Sequence, residues 1–266
     1  MLWDNPRVFS VVYHRLLDQW LEHPSFPVDS VEVNVESFYK TTPHRLRWLS
    51  KRYAIAARCA ALSASSSDPI DARQVEACRA VVDQCDALWV THPLGFSRVA
   101  EMDLGLPIPI PLTSRRLDCV TDRVRDLSKR LARPLLIENT TSTLRVSGTL
   151  SEPEFLNRLC AGSGCRLAVD LGALCRETAW LRIEPASWLT DAGLGNVDYV
   201  RVTGPYGADL DAQLAALSWL ASHAAFRGVG LALVPGSTLR AFEAAGGRIQ
   251  ALLSHRGFDN PPHHPA

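Results

Sequence analysis

The stretch RPLLIENTTSTLRVSGTLSEPEFLNRLCAGSGCRLAVDLGAL, residues 133–174, contains one complete strand–helix–strand unit. PLLIENT (134–140) is a short apolar run of strand type, broken by Glu138 and Asn139. Ser151 precedes a helical pattern with Glu154 three residues later, the spacing of a capping box. That helix is expected to end near Gly162 and Gly164. RLAVDLGAL (166–174) is a second apolar run, broken by Asp170. Two such runs joined by a helix predict neighbouring parallel strands covered by helices.

The same alternation extends in both directions. Upstream lie the runs RVFSVVYH (7–14), VDSVEVNVE (28–36), AIAARCAALS (54–63) and ALWVTHP (87–93). Helical patterns are expected at RLLDQWLEH, from Pro43 to about Tyr53, and in DARQVEACRAVVDQC. GLPIPIPLTS carries prolines at 107, 109 and 111 and is expected to be an extended loop, with a helix from Ser114. Downstream follow a looser crossover containing Trp180 and Trp188, the strand VDYVRVTG (197–204), a helix, and the strand VGLALVP (229–235). Ser237 is expected to cap a last helix running to Leu253. Eight strands with eight crossovers predict a closed (β/α)₈ barrel of the TIM type, occupying residues 1–258 as one domain. Residues 259–266 are expected to be a disordered tail.

Composition agrees with a large packed core: 47% of the 266 residues are apolar and 21% are charged. Twenty-eight basic residues balance 28 acidic ones, so nothing suggests a nucleic acid or an anionic membrane surface as partner. No apolar run reaches the roughly 20 residues of a membrane span, and the N-terminus lacks the pattern of a signal peptide. A cytoplasmic location is therefore expected. The seven cysteines include no C-x-x-C pair and read as small buried apolar residues.

Barrel sites lie at the C-terminal ends of the strands. Those ends carry Tyr13 and His14, Glu36, Arg58, His92, Glu138, Asp170 and Arg201, then Val234 without a polar group. A buried carboxylate is costly without a cation or metal partner, which singles out Glu138 and Asp170. His92 joins them as a candidate base or ligand. Glu36, Arg58, Asn139 and Arg201 are candidate binding residues. Arg58 and Arg201 could hold an anionic group, or could neutralise the carboxylates within the protein.

At these strand ends the chain resembles the multinuclear non-haem iron-dependent oxidative enzymes, the family of the methanobactin iron subunit and its 3-thiaglutamate-pathway relative. VEVNVESFY, LPIPIPLTSRRLDCV, RPLLIENTTSTL and LSEPEFLNRLCAGSGCRLAVDLGAL carry the likeness, over roughly residues 28–205. The resemblance implies a xylose-isomerase-like barrel, two or three irons, oxidation of peptide cysteines, and a small partner protein that helps recognise the precursor peptide. It places Glu138 and Asp170 on ligand carboxylates. The departures fall on the nitrogen ligands. Arg58-Cys59 stands where the family has a histidine and glycine, and His92-Pro93 where it has glutamate and a ligand histidine. Gly172 and Ala173 replace two asparagines, Ser37 replaces another, and Arg201-Val202-Thr203-Gly204 replaces His-x-Ala-Gly. Imidazole is a preferred iron ligand, whereas a charged guanidinium cannot coordinate.

The expectation is therefore a divergent, catalytically degenerate member of that family. It would bind a peptide or a partner enzyme in peptide natural-product biosynthesis. Iron is the cofactor the resemblance implies, with most ligand positions replaced. The alternative is an active metal-dependent enzyme built on Glu138, Asp170 and His92, oxidising a peptide or acting on a small anion. Sugar-phosphate isomerase chemistry would rest on fold analogy alone.

Overall fold

The computed structural model describes residues 8–39, 43–99, 102–140, 144, 146–203, 208–233 and 237–254. Eight parallel strands close into a barrel: β1 (Val8–Val12), β2 (Ser30–Asn34), β3 (Ala54–Arg58), β4 (Val90–Pro93), then, numbered past a hairpin described below, β7 (Leu135–Glu138), β8 (Arg166–Asp170), β9 (Val197–Val202) and β10 (Gly228–Ala232). Around the barrel they run β1-β10-β9-β8-β7-β4-β3-β2, each parallel to its neighbours.

Among the described residues eight helices lie on the segments between and after the strands: α1 (Pro43–Ser50), α2 (Ala72–Gln84), α3 (Ser114–Leu131), α4 (Glu152–Ser163), α5 (Leu171–Leu181), α6 (Pro185–Asp191), α7 (Ala208–His223) and α8 (Leu239–Ser254). The amphipathic pattern that makes them pack is plainest in α3. Its Leu117, Val120, Val124, Leu127 and Leu131 recur at three- and four-residue steps, and all are buried. α4 begins as its sequence dictates. Ser151 Oγ accepts from the Glu154 N–H at 3.4 Å, and Gly164 at φ +78° closes the helix in the left-handed conformation that glycine adopts without strain.

The period-two alternation of each strand sorts its side chains between two compartments. Val11, Val31, Val33, Ala57, Val90, Ile137, Val169 and Val200 belong to the large cluster shared with the helices. A separate cluster of Val8, Ala56, Trp89, Leu136, Ala168 and Tyr199 lies at alternate positions of the strands or their starts and fills the lower interior of the barrel. Tyr199 fits there because β10 offers Gly228 and Gly230. A Cβ on Gly230 would collide with the tyrosine hydroxyl.

Several local expectations are corrected. The loop expected at 105–114 begins as a strand: Gly105–Ile108 belong to β6 (Met102–Ile108), which pairs antiparallel with β5 (Phe96–Val99), and residues 109–113 beyond it carry no helix or strand. Pro107 is tolerated because a two-stranded ribbon leaves an edge that needs no N–H there. The segment RLLDQWLEH forms two 3₁₀ turns, Arg15–Leu17 and Trp20–Glu22. The β2 strand stops at Asn34, so Glu36 sits on a 3₁₀ turn (Val35–Phe38) beyond it. The loose crossover contains two helices, α5 and α6. Thr238, not Ser237, caps α8, its Oγ1 accepting from the Ala241 N–H. Val234, Gly204 and the C-terminal tail lie outside the described residues. Among the described residues no helix is long and apolar enough to cross a membrane.

Candidate functional site

One step above the apolar interior layer, the inward positions become polar. Ser10, Ser30, Glu32, Thr91, Glu138, Asp170 and Arg201 are buried there, with Arg58 at the end of β3. Four of these form a charge network. Arg58 grips Glu138 with two nitrogens: Nε donates to Oε1 at 2.9 Å and to Oε2 at 3.1 Å, and Nη2 donates to Oε2 at 2.9 Å. Arg201 Nη2 donates to Glu138 Oε1 at 3.0 Å and to Glu32 Oε1 at 2.7 Å. The Glu32, Glu138 and Arg201 side chains are essentially enclosed, while that of Arg58 is 21% exposed. The network thus runs from the barrel interior to its mouth.

Electrostatics follow from this geometry. Burial alone would raise the Glu138 carboxyl, but the Arg201 and Arg58 charges outweigh it and hold the group well below the usual carboxylate range. Burial likewise opposes the charge on Arg201, and Glu138 and Glu32 more than compensate. Two cations and two carboxylates cancel, which allows four ionised groups inside a barrel. Three atoms of the same layer, Glu32 Oε2, Arg201 Nε and the Tyr199 hydroxyl, are buried without a hydrogen-bond partner. Burial and the adjacent Glu32 charge keep that tyrosine protonated.

The remaining candidates are engaged elsewhere. Asp170 caps α5: its Oδ1 accepts from the Ala173 N–H at 2.8 Å and from Thr203 Oγ1 at 2.7 Å. Asn139 bridges β7 to β8, with Oδ1 accepting from the Asp170 N–H and Nδ2 donating to the Asp170 carbonyl. Glu36 Oε1 accepts from the Ala61 N–H at 2.8 Å and holds the loop that follows β3. His92 pairs in register with Ile137, so it shares the outward face of the sheet, whereas Thr91 and Pro93 align with the inward Leu136 and Glu138. Its Nδ1 lies 2.8 Å from the Cys59 carbonyl and therefore carries the proton, and its Nε2 accepts from the Ala64 N–H at 3.1 Å. Both ring nitrogens are used, and burial lowers the group to about 4. His14 is exposed and caps the first 3₁₀ turn.

Sequence reasoning missed Glu32. The signal was available: in VEVNVE a carboxylate alternates with outward valines, which places Glu32 inward on β2. It also missed Glu152. This carboxylate at the start of α4 accepts from the Thr140 N–H at 2.6 Å, two residues beyond Glu138. Burial and the neighbouring Glu177 push it up to about 8.

The sequence model described as RiPP precursor modification enzyme MbnB/TglH/ChrH matches residues 12–225. The chain belongs to this family. A UPF0276 protein of Caulobacter vibrioides is 25% identical over 242 residues, covering 88% of this chain and 81% of that protein. Another, from Rhizorhabdus wittichii, is 31% identical over 147 residues, 54% of this chain, and the match spans only about half (53%) of that protein's length. Among solved structures the barrel is similar to an L-ribulose 3-epimerase (TM-score 0.66, 12% identity, 98% of this chain and all of that one). It is also similar to a xylose isomerase domain containing protein of Salmonella typhimurium (TM-score 0.65, 12% identity, 93% and 97%). At such identities the likeness concerns the fold, a xylose-isomerase-like barrel.

The iron centre that the family resemblance implies can be tested against these side chains. Glu138 offers its oxygens to two guanidinium groups, Asp170 to a helix end, and both His92 nitrogens to the backbone. Among the described residues no three His, Cys, Asp or Glu side chains converge as a ligand set. The donor set present does not fit the metal centre.

Proposed function

We propose that this chain is a catalytically degenerate member of the MbnB/TglH/ChrH family that uses its barrel mouth to bind a peptide, or a partner enzyme of a peptide-modifying pathway. The observation that carries this reading is the double guanidinium clamp on Glu138. Side-chain cations stand where the resemblance expects ligand histidines, and they satisfy the carboxylate that a metal would need. Loss of the nitrogen donors removes the means of holding iron, while the barrel and its surrounding loops remain.

The rim supports a binding role. Val99, Met102 and Leu106 on the β5–β6 hairpin and Leu144 and Val146 on the β7–α4 connection are exposed apolar side chains at the mouth end of adjacent strands. Exposed apolar side chains on neighbouring connections at one end of the barrel support a surface for contact with another chain.

The test is an assay of cysteine-containing peptides with anaerobically iron-loaded protein. Binding of a fluorescent peptide, weakened when Met102 and Leu106 become aspartate, is expected without oxidation of its cysteine. Iron-dependent oxidation would overturn the degenerate reading. Absence of any peptide binding would leave the partner enzyme as the ligand, to be sought by co-purification with enzymes encoded beside its gene.

A further inference from the structure

A second chemically competent cluster lies at the opposite end of the barrel from the charge network. Cys160 is in the last turn of α4, and Cys165 immediately precedes β8. Between them Ser163 and Gly164 turn the chain, so that the two sulfurs face each other at 3.8 Å, already in contact. Both residues are free thiols with 5% exposure. A disulfide needs a separation near 2.05 Å, so the sulfurs must approach by about 1.8 Å.

We infer that Cys160 and Cys165 are a reversible thiol-oxidation site, in which a small peroxide converts the pair to an intrachain disulfide that staples α4 to β8. The surroundings assign the roles. Cys160 sits in the last turn of α4, whose negative end disfavours a thiolate, whereas Cys165 lies outside the helix beside Arg166 and is held below the ordinary thiol range, chiefly by its contact with Cys160. The Cys165 thiolate attacks one peroxide oxygen and breaks the O–O bond, giving a sulfenic acid and releasing hydroxide, which takes up a proton to become water. The Cys160 sulfur then attacks the Cys165 sulfur. The S–O bond breaks, a second water leaves with the Cys160 proton, and the S–S bond forms. Two thiols lose two electrons in total, and hydrogen peroxide gains them. A dithiol reductant reverses the bond by exchange. Burial admits only a small oxidant, through transient opening of the helix end.

The site can be read directly by mass. Arg158 and Arg166 flank a single tryptic peptide, residues 159–166, that contains both cysteines. Folded protein treated with hydrogen peroxide, then denatured with iodoacetamide and digested without reductant, is expected to yield this peptide unalkylated and about 2 Da lighter. Dithiothreitol before alkylation should restore two alkylated cysteines. In Cys160→Ser, Cys165 is expected to stop at a sulfenic acid that dimedone traps, whereas Cys160 in Cys165→Ser should stay unlabelled. Cys119 and Cys175, which are less buried, serve as internal controls for general oxidation. Full alkylation of both cysteines after peroxide, a crosslink at Cys59 and Cys78 instead, or dimedone labelling confined to Cys160 would each overturn the inference.

Discussion

The barrel interior has two layers that differ by one strand repeat and by nearly everything else. In the lower, Val8, Ala56, Leu136, Ala168 and Tyr199 fill space. Two residues further along the same strands, Ser10, Arg58, Glu138, Asp170 and Arg201 carry hydroxyls and charges. Both layers lie on the same parallel strands, with a register irregularity between β8 and β9 at Leu167/Ala168 only in the lower one, so side-chain type sets the difference. What it teaches is that this barrel builds one floor by packing and the next by pairing. The two should fail differently when disturbed: a packing defect leaves a cavity, whereas a pairing defect strands a charge.

The largest effect is expected from Arg201→Met. It removes a cation shared by two enclosed carboxylates and should cost about 3–5 kcal/mol in denaturant unfolding. The double variant Glu32→Met/Arg201→Met removes one stranded charge along with its partner and should recover much of that loss. A double variant no more stable than the single one would break the pairing account of the upper layer.

Leu136→Ala probes the lower layer. A fully enclosed leucine there should cost about 3 kcal/mol through lost contacts and a cavity. That cost should be unchanged between pH 5 and pH 8, as measured by unfolding at both values. A strong pH dependence would mean that the two layers are not separable.

His92 tests the outward face of β4. Its folded-state pKa near 4 lies below the unfolded value near 6.5, so the unfolded chain takes up the proton first. Its contribution is therefore intact above pH 6.5 and lost as pH falls toward 4, by up to about 3 kcal/mol. His92→Asn should flatten the stability curve in that window. An unchanged slope would show that the ring is not held neutral.

Glu152 has the opposite sign. Its pKa is raised by burial and then by Glu177, so stability is fully present near pH 4.5 and declines as pH rises toward 8. Glu152→Gln keeps an acceptor for the Thr140 N–H and should raise Tm at pH 8 by roughly 2–4 °C, with little change at pH 5.

How far the sequence discloses this arrangement depends on the residue. The β7–α4–β8 unit was legible because its capping serine, its terminal glycine and two apolar runs all point the same way. The pairing of Arg58 and Arg201 with Glu138 was legible as charge that must be neutralised inside a barrel. Glu36 was misplaced onto a strand end because VEVNVE keeps its alternation past Asn34, where the backbone has already turned into a 3₁₀ helix. Glu32, hidden earlier in the same alternation, takes the interior position instead. Asp170 has the same apolar context as Glu138, yet it is one bond shorter and begins a helix, so its carboxylate goes to the Ala173 N–H. Burial and type alone do not distinguish those two acids. The pairing of β5 with β6 is not legible in the sequence because Pro107 interrupts a strand pattern that only an edge can accommodate.

The central claim is that guanidinium groups occupy the place where the family resemblance expects metal ligands. Its most direct test is the iron content of the purified chain after anaerobic loading with ferrous ion and removal of the excess. The account expects well under one iron per chain, with no change in Glu138→Ala or His92→Ala. Two or more tightly held irons per chain, lost in Glu138→Ala, would contradict it. A single metal lost in both variants would instead place an active centre on those side chains.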